Sequence, residues 1–107
     1  MLLFAEDNRR LIGFAVLGAE KIGRCAEMVA LFVDKDHRAK GLGGKLVSKL
    51  EDEARERGIR NIYVQSNETA TSVGFYQSAG YCIACLMDPS TMWLPGMETS
   101  IVLAKKL

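Results

Sequence analysis

The sequence predicts an α/β fold: a mixed, mostly antiparallel sheet of six strands with two helices packed on it. Six apolar runs have the length of strands. Two other segments, 42–57 and 70–79, are predicted as helices, and each is followed by a glycine of the kind that ends a helix, Gly58 and Gly80. The first helix lies between two of the apolar runs, which predicts a parallel, right-handed β-α-β unit.

The elements follow one another in a simple order. The predicted strands are 1–5, 11–17, 25–33, 59–65, 81–87 and 98–104. The polar segment 6–10 predicts a hairpin between the first two strands. The third strand has apolar residues on both faces and contains one charge, Glu27, so we expect it to be buried.

The first predicted helix is strongly amphipathic. Its apolar stripe is formed by Leu42, Leu46, Val47, Leu50 and Ala54. Glu51 with Arg55, and Glu53 with Arg57, are spaced four residues apart and are expected to form weak ion pairs on the solvent face. Gly58 is the expected C′ residue of this helix.

Length and composition are those of one ordinary globular domain, residues 1–107. Apolar residues make up 49% of the chain and charged residues 25%. The net charge of +1 gives no reason to expect nucleic acid or an anionic membrane as a partner. No apolar run approaches the length of a membrane span and no signal-peptide pattern opens the chain, so we expect a cytoplasmic protein.

The cysteines and the histidine give little sign of redox or metal chemistry. Three cysteines, an odd number, argue against a disulfide framework. Cys82 and Cys85 have the spacing of a redox motif, but residues three apart on a regular strand face opposite ways, so we expect no redox activity. With a single histidine, His37, we predict no metal site.

The segment that joins the third strand to the first helix carries the clearest chemical signal. No Ser, Thr, Asp or Asn stands where the helix would be capped, and Gly41, Gly43 and Gly44 leave its first amides bare. Three basic residues converge on the same turn: Arg38, Lys40 and Lys45. Bare amides and positive charge at a helix N-terminus predict an anion site, most plausibly for a phosphate. The alternative is a turn whose amides contact only water.

Spacing narrows the type of phosphate loop. A Walker A loop needs four residues between its first glycine and its Gly-Lys pair, and Gly41 is too close to Gly44-Lys45. The dinucleotide fingerprint would need a glycine where Leu46 stands. The remaining pattern, Arg38-x-x-Gly41-x-Gly43, resembles the R/Q-x-x-G-x-G/A loop of the GNAT superfamily of N-acetyltransferases, which binds the pyrophosphate of acetyl-coenzyme A.

This resemblance implies a set of cofactor-binding residues. Main-chain groups near Phe32 and Val33 would hold the pantetheine arm, and an N–H near Val33 would polarise the thioester carbonyl. Amides and charges of the loop would hold the pyrophosphate: Arg38, Ala39, Lys40, Gly41, Leu42, Gly43, Gly44 and Lys45. Acetyl-coenzyme A is the implied cosubstrate.

A second segment strengthens the resemblance. Residues 75–81 look like the family's L/F-Y-x-x-x-G-F/Y segment, in which the tyrosine, here Tyr76, can donate its phenolic proton to the departing thiolate. The alternative is that Tyr76 is only a core aromatic. The family usually places an asparagine seven residues earlier, where this chain has Thr69. Asn67 lies two residues before that, and either side chain could contact the cofactor.

Glu27 is the candidate base. In several branches of the family a glutamate on this strand takes a proton from the acceptor ammonium, directly or through water. A carboxylate inside an apolar strand is expected to have a raised pKa, as a base working near neutral pH requires. The alternative is a carboxylate at the sheet edge that pairs with a nearby Arg or Lys.

The resemblance implies transfer of an acetyl group to the primary amine of a small molecule or peptide, by direct attack on the thioester. Typical members carry a further strand and helices before the first strand found here. We therefore expect a minimal member, a truncated one, or one that completes its acceptor site with a partner. An open sheet edge favours a homodimer. Two other functions stay open: a non-catalytic acyl-coenzyme A binding module, and an interaction protein whose loop binds nothing.

Overall fold

The computed structural model describes residues 1–38, 40–67, 70–87 and 100–107. Within them the chain forms six strands and two α-helices, with one short 3-10 turn before the first helix. The strands are β1 (Leu2–Asp7), β2 (Arg10–Leu17), β3 (Cys25–Val33), β4 (Asn61–Asn67), β5 (Cys82–Met87) and β6 (Ser100–Lys106). The helices are α1 (Leu42–Glu56) and α2 (Ala70–Ser78), and the 3-10 turn is Lys35–His37. The loop predicted between β5 and β6 lies outside the described residues.

The six strands form one mixed sheet, which confirms the predicted fold class. Their spatial order is β1-β2-β3-β4-β6-β5. β3 and β4 are parallel, and every other neighbouring pair is antiparallel. The first hairpin is tighter than expected, because β1 and β2 continue to a two-residue turn, Asn8-Arg9. Both turn residues have positive φ, as a hairpin turn that follows the twist of its strands requires.

Helix α1 ends at Gly58 as predicted, and this ending displaces the start of β4. Gly58 has φ +78° and its N–H donates to the Arg55 carbonyl. The Ile59 N–H donates to the Ala54 carbonyl, so these bonds close a Schellman cap. Ile59 is therefore part of the helix cap rather than of the strand, and β4 begins at Asn61.

The hydrophobic core lies between α1 and one face of the sheet. From the sheet come Ala15, Leu17, Ala26, Met28, Ile62, Val64 and Leu103, and from α1 come Leu46, Val47, Leu50 and Ala54. Gly13 lets α1 pack closely on β2, because a Cβ there would lie 3.2 Å from Leu46 Cδ1 of α1. It would also lie 2.9 Å from the Phe32 carbonyl oxygen of β3. Among the described residues no helix is long and apolar enough to cross a membrane.

Two expectations from the sequence are wrong. Glu51 is not on the solvent face of α1: it is only 5% exposed, and Arg55 pairs with Asp52 instead. Cys82 and Cys85 lie on the same face of β5 rather than on opposite faces. Cys82 pairs with Ala104 and Cys85 with Val102, two β6 residues on one face, because the register shifts between Ile83 and Cys85. A bulge inverts the alternation of side chains, and the sequence carries no local sign of it.

Candidate functional site

A cleft of about 690 Å³ opens where β3, the N-terminus of α1 and one side of α2 meet. Its lining residues are Leu31, Phe32, Val33, Arg38, Gly41, Gly43, Gly44, Ser72, Phe75 and Tyr76. Segments far apart in the sequence thus share one volume. The cleft brings together seven residues that the sequence singled out, and adds Leu31, Ser72 and Phe75.

The N-terminus of α1 opens onto this cleft without a cap. Gly41 is the N-cap residue in the left-handed conformation, with φ 78° and ψ 4°, and no side chain bonds to the first amides. The first hydrogen bond within the helix runs from the Lys45 N–H to the Gly41 carbonyl, at 3.1 Å. The amides of Leu42, Gly43 and Gly44 precede it and have no acceptor in the helix, so they suit an anion.

Not every basic residue of the loop lines the cleft. Arg38 does, and its Nε donates to the Val33 carbonyl at 2.9 Å, which joins the loop to the end of β3. Lys40 and Lys45 are exposed and do not line the cleft. Leu42 packs against the core, which leaves only its main-chain N–H for a ligand.

Three predicted contacts cannot be placed. Ala39 and Thr69 lie outside the described residues. Asn67 ends β4, where it pairs with Ser100, and its side chain is likewise not described. The predicted contacts of these residues with the cofactor therefore stay predictions.

One wall of the cleft exists because β3 and β4 separate. They pair only from Cys25 to Glu27, although both strands continue well beyond that point. The Asp34 N–H donates to the Ile12 carbonyl of β2, at 2.7 Å. Because main-chain groups alternate along a strand, those of Leu31 and Val33 point away from β2, into the gap that β4 has left.

Phe32 takes part differently from the way the resemblance implies. It is the residue opposite Phe14, and by the same alternation its main-chain groups face β2 rather than the gap. Its ring stacks on Phe14 with centroids 5.5 Å apart. The peptide groups that face the gap therefore belong to the residues on either side of Phe32, and of these the Val33 carbonyl already accepts from Arg38.

Tyr76 stands at the α2 side of the cleft. It is 9% exposed, and its ring packs edge to face against Phe75 and Tyr81, with centroids 5.2 and 5.9 Å away. Burial raises the pKa of Tyr76, so its phenol keeps its proton at neutral pH and can act as a donor. Ser72 lies one helical turn before Tyr76 in α2 and also lines the cleft. Their spacing of four residues is the sequence signal that could have identified Ser72, because residues four apart share one face of a helix.

Glu27 lies on the other side of the sheet. Its neighbours Ala26 and Met28 are buried in the core below α1, so the half-buried Glu27 points to the opposite face. It stands opposite Tyr63, at the last pair before β3 and β4 separate. The structure therefore does not place Glu27 in the cleft with Tyr76, but at the point where the gap between the strands begins.

Comparison with known proteins identifies the family to which the chain belongs. The sequence model of the acetyltransferase (GNAT) family matches residues 1–81. The chain belongs to this family. The matched residues include the elements that form the cleft: β3 and β4, the Arg38 loop and the uncapped N-terminus of α1.

Similar proteins agree with this assignment. The chain is 33% identical to the L-amino acid N-acyltransferase MnaT of Escherichia coli over 80% of its own length, and spans 52% of that protein. It is 28% identical to the E. coli ribosomal protein bS18-alanine N-acetyltransferase, covering 92% of this chain and 66% of the relative. An acetyl-CoA-bound GNAT acetyltransferase from Elizabethkingia anophelis has the same fold, with a TM-score of 0.87 at 19% identity over 99% of this chain and 75% of that one.

Proposed function

We propose that the chain is an N-acetyltransferase that moves the acetyl group of acetyl-coenzyme A to a primary amine. The observation that carries this proposal is one cleft shared by the uncapped N-terminus of α1, the part of β3 that does not pair with β4, and Tyr76. These are the groups that a pyrophosphate, an amide-rich pantetheine arm and a thioester sulfur need, in that order along one ligand.

In the proposed complex the pyrophosphate binds the amides of Leu42, Gly43 and Gly44, where the helix dipole favours an anion. The Arg38 guanidinium adds positive charge beside it. The pantetheine arm extends along β3 and forms hydrogen bonds with the main chain of Leu31 and with the Val33 N–H, as an added strand would. The thioester then lies at the inner end of the cleft, near Tyr76.

The transfer step is direct. The amine nitrogen attacks the thioester carbonyl carbon, the C–S bond breaks, and the sulfur leaves with the bonding electron pair. Tyr76 donates its phenolic proton to that sulfur and regains one from solvent. Glu27 accepts the proton that the attacking amine loses. This proton passes through the gap between β3 and β4, because Glu27 lies on the opposite face of the sheet.

The relatives suggest acceptors to test. One relative is named as acting on L-amino acids and another on an alanine of ribosomal protein bS18, so both classes of primary amine belong in a first screen. Three free cysteines support a reducing, cytoplasmic setting. We also propose a homodimer, because apolar side chains are exposed on the face of β1 and β3 opposite α1: Leu2, Phe4 and Phe32. Analytical ultracentrifugation tests this proposal, since a dimer would sediment with twice the mass of the chain.

A non-catalytic acyl-coenzyme A binding module is the second candidate. It is favoured by one observation: Glu27 is not among the residues that line the cleft. A binding module would need the uncapped helix and the strand wall, but neither the base nor the acid.

Calorimetric titration with acetyl-coenzyme A, followed by thiol release in the presence of candidate amines, distinguishes the two functions. An enzyme should lose turnover on Glu27→Gln or Tyr76→Phe, by about 10²- to 10⁴-fold, and keep its affinity for the cofactor. Glu56→Gln removes an exposed carboxylate from α1 and serves as the matched control. Binding without turnover for any amine would favour the module, and absence of binding by the folded chain would contradict both.

A further inference from the structure

The carboxylate of Glu51 is buried inside the protein, and it has two donors. The side chain of this α1 residue is 6% exposed. It accepts a hydrogen bond from the Tyr81 hydroxyl at 2.9 Å and another from the Lys105 ammonium at 3.1 Å. A buried carboxylate is tolerated when it is paired and hydrogen-bonded in this way. Glu51, Tyr81 and Lys105 together are the buried network discussed below.

The buried network holds the C-terminal end of α2. Lys105 also donates to the carbonyl of Ala79, the residue that follows the helix, at 2.9 Å. The Tyr81 N–H donates to the carbonyl of Tyr76 at 3.0 Å, and the two rings meet edge to face. Tyr81 is therefore hydrogen-bonded to Tyr76 through its main chain, and its ring packs on the Tyr76 ring. Its hydroxyl joins both residues to α1 through the hydrogen bond to Glu51.

Helix α2 needs such support from outside. It has nine residues, fewer than an isolated helix requires for stability in water, and it contains Gly74. Its last turn has no basic residue. The ammonium of Lys105 supplies the positive charge that a helix C-terminus favours. Gly80 leaves room for it, since a Cβ there would lie 3.2 Å from Lys105 Cε.

We propose that the buried network positions the Tyr76 hydroxyl for protonation of the departing sulfur. This inference rests on the proposed acetyl transfer, in which the C–S bond breaks, its electron pair stays on sulfur, and the Tyr76 proton passes to that sulfur. Glu51, Tyr81 and Lys105 do not line the cleft. They are positioning residues that act through Tyr76, and not catalytic residues.

A double-mutant cycle tests this assignment. Tyr81→Phe removes only the hydroxyl that reaches Glu51 and keeps the ring beside Tyr76. We expect kcat for thiol release to fall about tenfold, with the KM for acetyl-coenzyme A unchanged within about twofold. In a Tyr76→Phe background the same change should cause no further loss, because the group it positions is already gone.

Controls separate this role from a general loss of structure. Glu51→Gln should reproduce the effect of Tyr81→Phe, whereas Asp52→Asn alters the neighbouring exposed carboxylate and should leave kcat within about twofold. Calorimetric titration with acetyl-coenzyme A checks that the cleft of each variant is intact. If Glu51→Gln does not fold, the cycle built on Tyr81→Phe decides alone, since that variant keeps the packing of the ring.

The outcomes are distinct. Losses that multiply in the Tyr76→Phe, Tyr81→Phe double variant would overturn the positioning role, because they would mean that Tyr81 acts independently of Tyr76. An unchanged kcat in Tyr81→Phe would overturn it as well. If the unaltered chain binds acetyl-coenzyme A and releases no thiol with any amine, the proposed function itself fails, before any variant is compared.

Discussion

Replacing Gly44 with aspartate should strengthen the fold and at the same time weaken acetyl-coenzyme A binding. Gly44 is the third residue of α1, and a Cβ built on it meets no atom within 4 Å. The aspartate carboxylate enters at the positive end of the helix dipole, which stabilises the helix by about 0.3–1 kcal/mol, and loss of a helical glycine adds a few tenths. We expect the free energy of unfolding to rise by about 0.5–1 kcal/mol, and Tm by roughly 2–8 °C.

The same carboxylate repels the pyrophosphate. At a separation of about 5 Å and an effective dielectric constant of about 40, each pair of like unit charges costs about 1.7 kcal/mol. One or two such pairs raise the Kd for acetyl-coenzyme A by about 20- to 300-fold. Gly44→Ala is the matched control, because it removes the glycine without adding charge. It should stabilise the helix and change the Kd by less than about threefold.

Urea unfolding of the ligand-free chain and calorimetric titration with acetyl-coenzyme A measure the two effects. Added salt should narrow the difference in Kd between the aspartate and alanine variants of Gly44, because it screens the repulsion. Equal Kd values for the aspartate variant and the unaltered chain would refute binding of the pyrophosphate at the α1 N-terminus. A fall in the free energy of unfolding for both variants would refute the description of Gly44 as an open helical position.

Three further predictions follow from the fold. Gly13→Ala should lower the free energy of unfolding by about 1–3 kcal/mol in urea titration, because its Cβ would lie 2.9 Å from a β3 carbonyl oxygen and 3.2 Å from Leu46 Cδ1 of α1; no loss would mean that β3 and α1 are further from Gly13 than this. Glu51→Gln should cost about 1–3 kcal/mol by the same measurement, since it leaves the partly buried Lys105 ammonium without its charge partner, whereas Asp52→Asn should stay within about 0.5 kcal/mol; equal effects would contradict the burial of Glu51. Burial raises the pKa of Tyr76, and burial together with the nearby Glu51 charge raises the pKa of Tyr81, above the usual value of 10.0. Above about pH 10 the unfolded chain therefore releases protons that the folded chain keeps, so the free energy of unfolding should fall as pH rises, and less steeply in Tyr81→Phe. A free energy of unfolding that stays constant from about pH 8 to 11 would contradict this prediction.

The fold class and the uncapped N-terminus of α1 were predictable because their signals are local. The helix that starts at Leu42 and stops before Gly58 follows from periodicity and from the conformational freedom of glycine. The missing cap and the glycines Gly41, Gly43 and Gly44 lie next to one another in the chain, so their shared helix end could be inferred without knowing what surrounds it. The ends of β1 and β4 were less accurate, because strand ends depend on pairing and on the cap that Ile59 completes.

The role of a side chain was harder to infer wherever it depends on which face of an element is covered. Glu51 looks like a surface residue by its spacing to Arg55, yet β6 brings Lys105 and the turn after α2 brings Tyr81 to it. Glu27 was the candidate base, but its neighbours in β3 face the core, so its side chain lies on the opposite face of the sheet.

The sequence by itself determined the order of the elements, the positions of the helix ends and the loop that suits a phosphate, because each depends on residues within a few positions of one another. Only the tertiary structure decided the wall and the support of the cleft. The separation of β3 from β4, the direction of the main-chain groups of Leu31 and Val33, and the buried network behind Tyr76 all depend on contacts between segments that are distant in the sequence. Such pairing is a property of the register of the whole sheet, which no single segment contains.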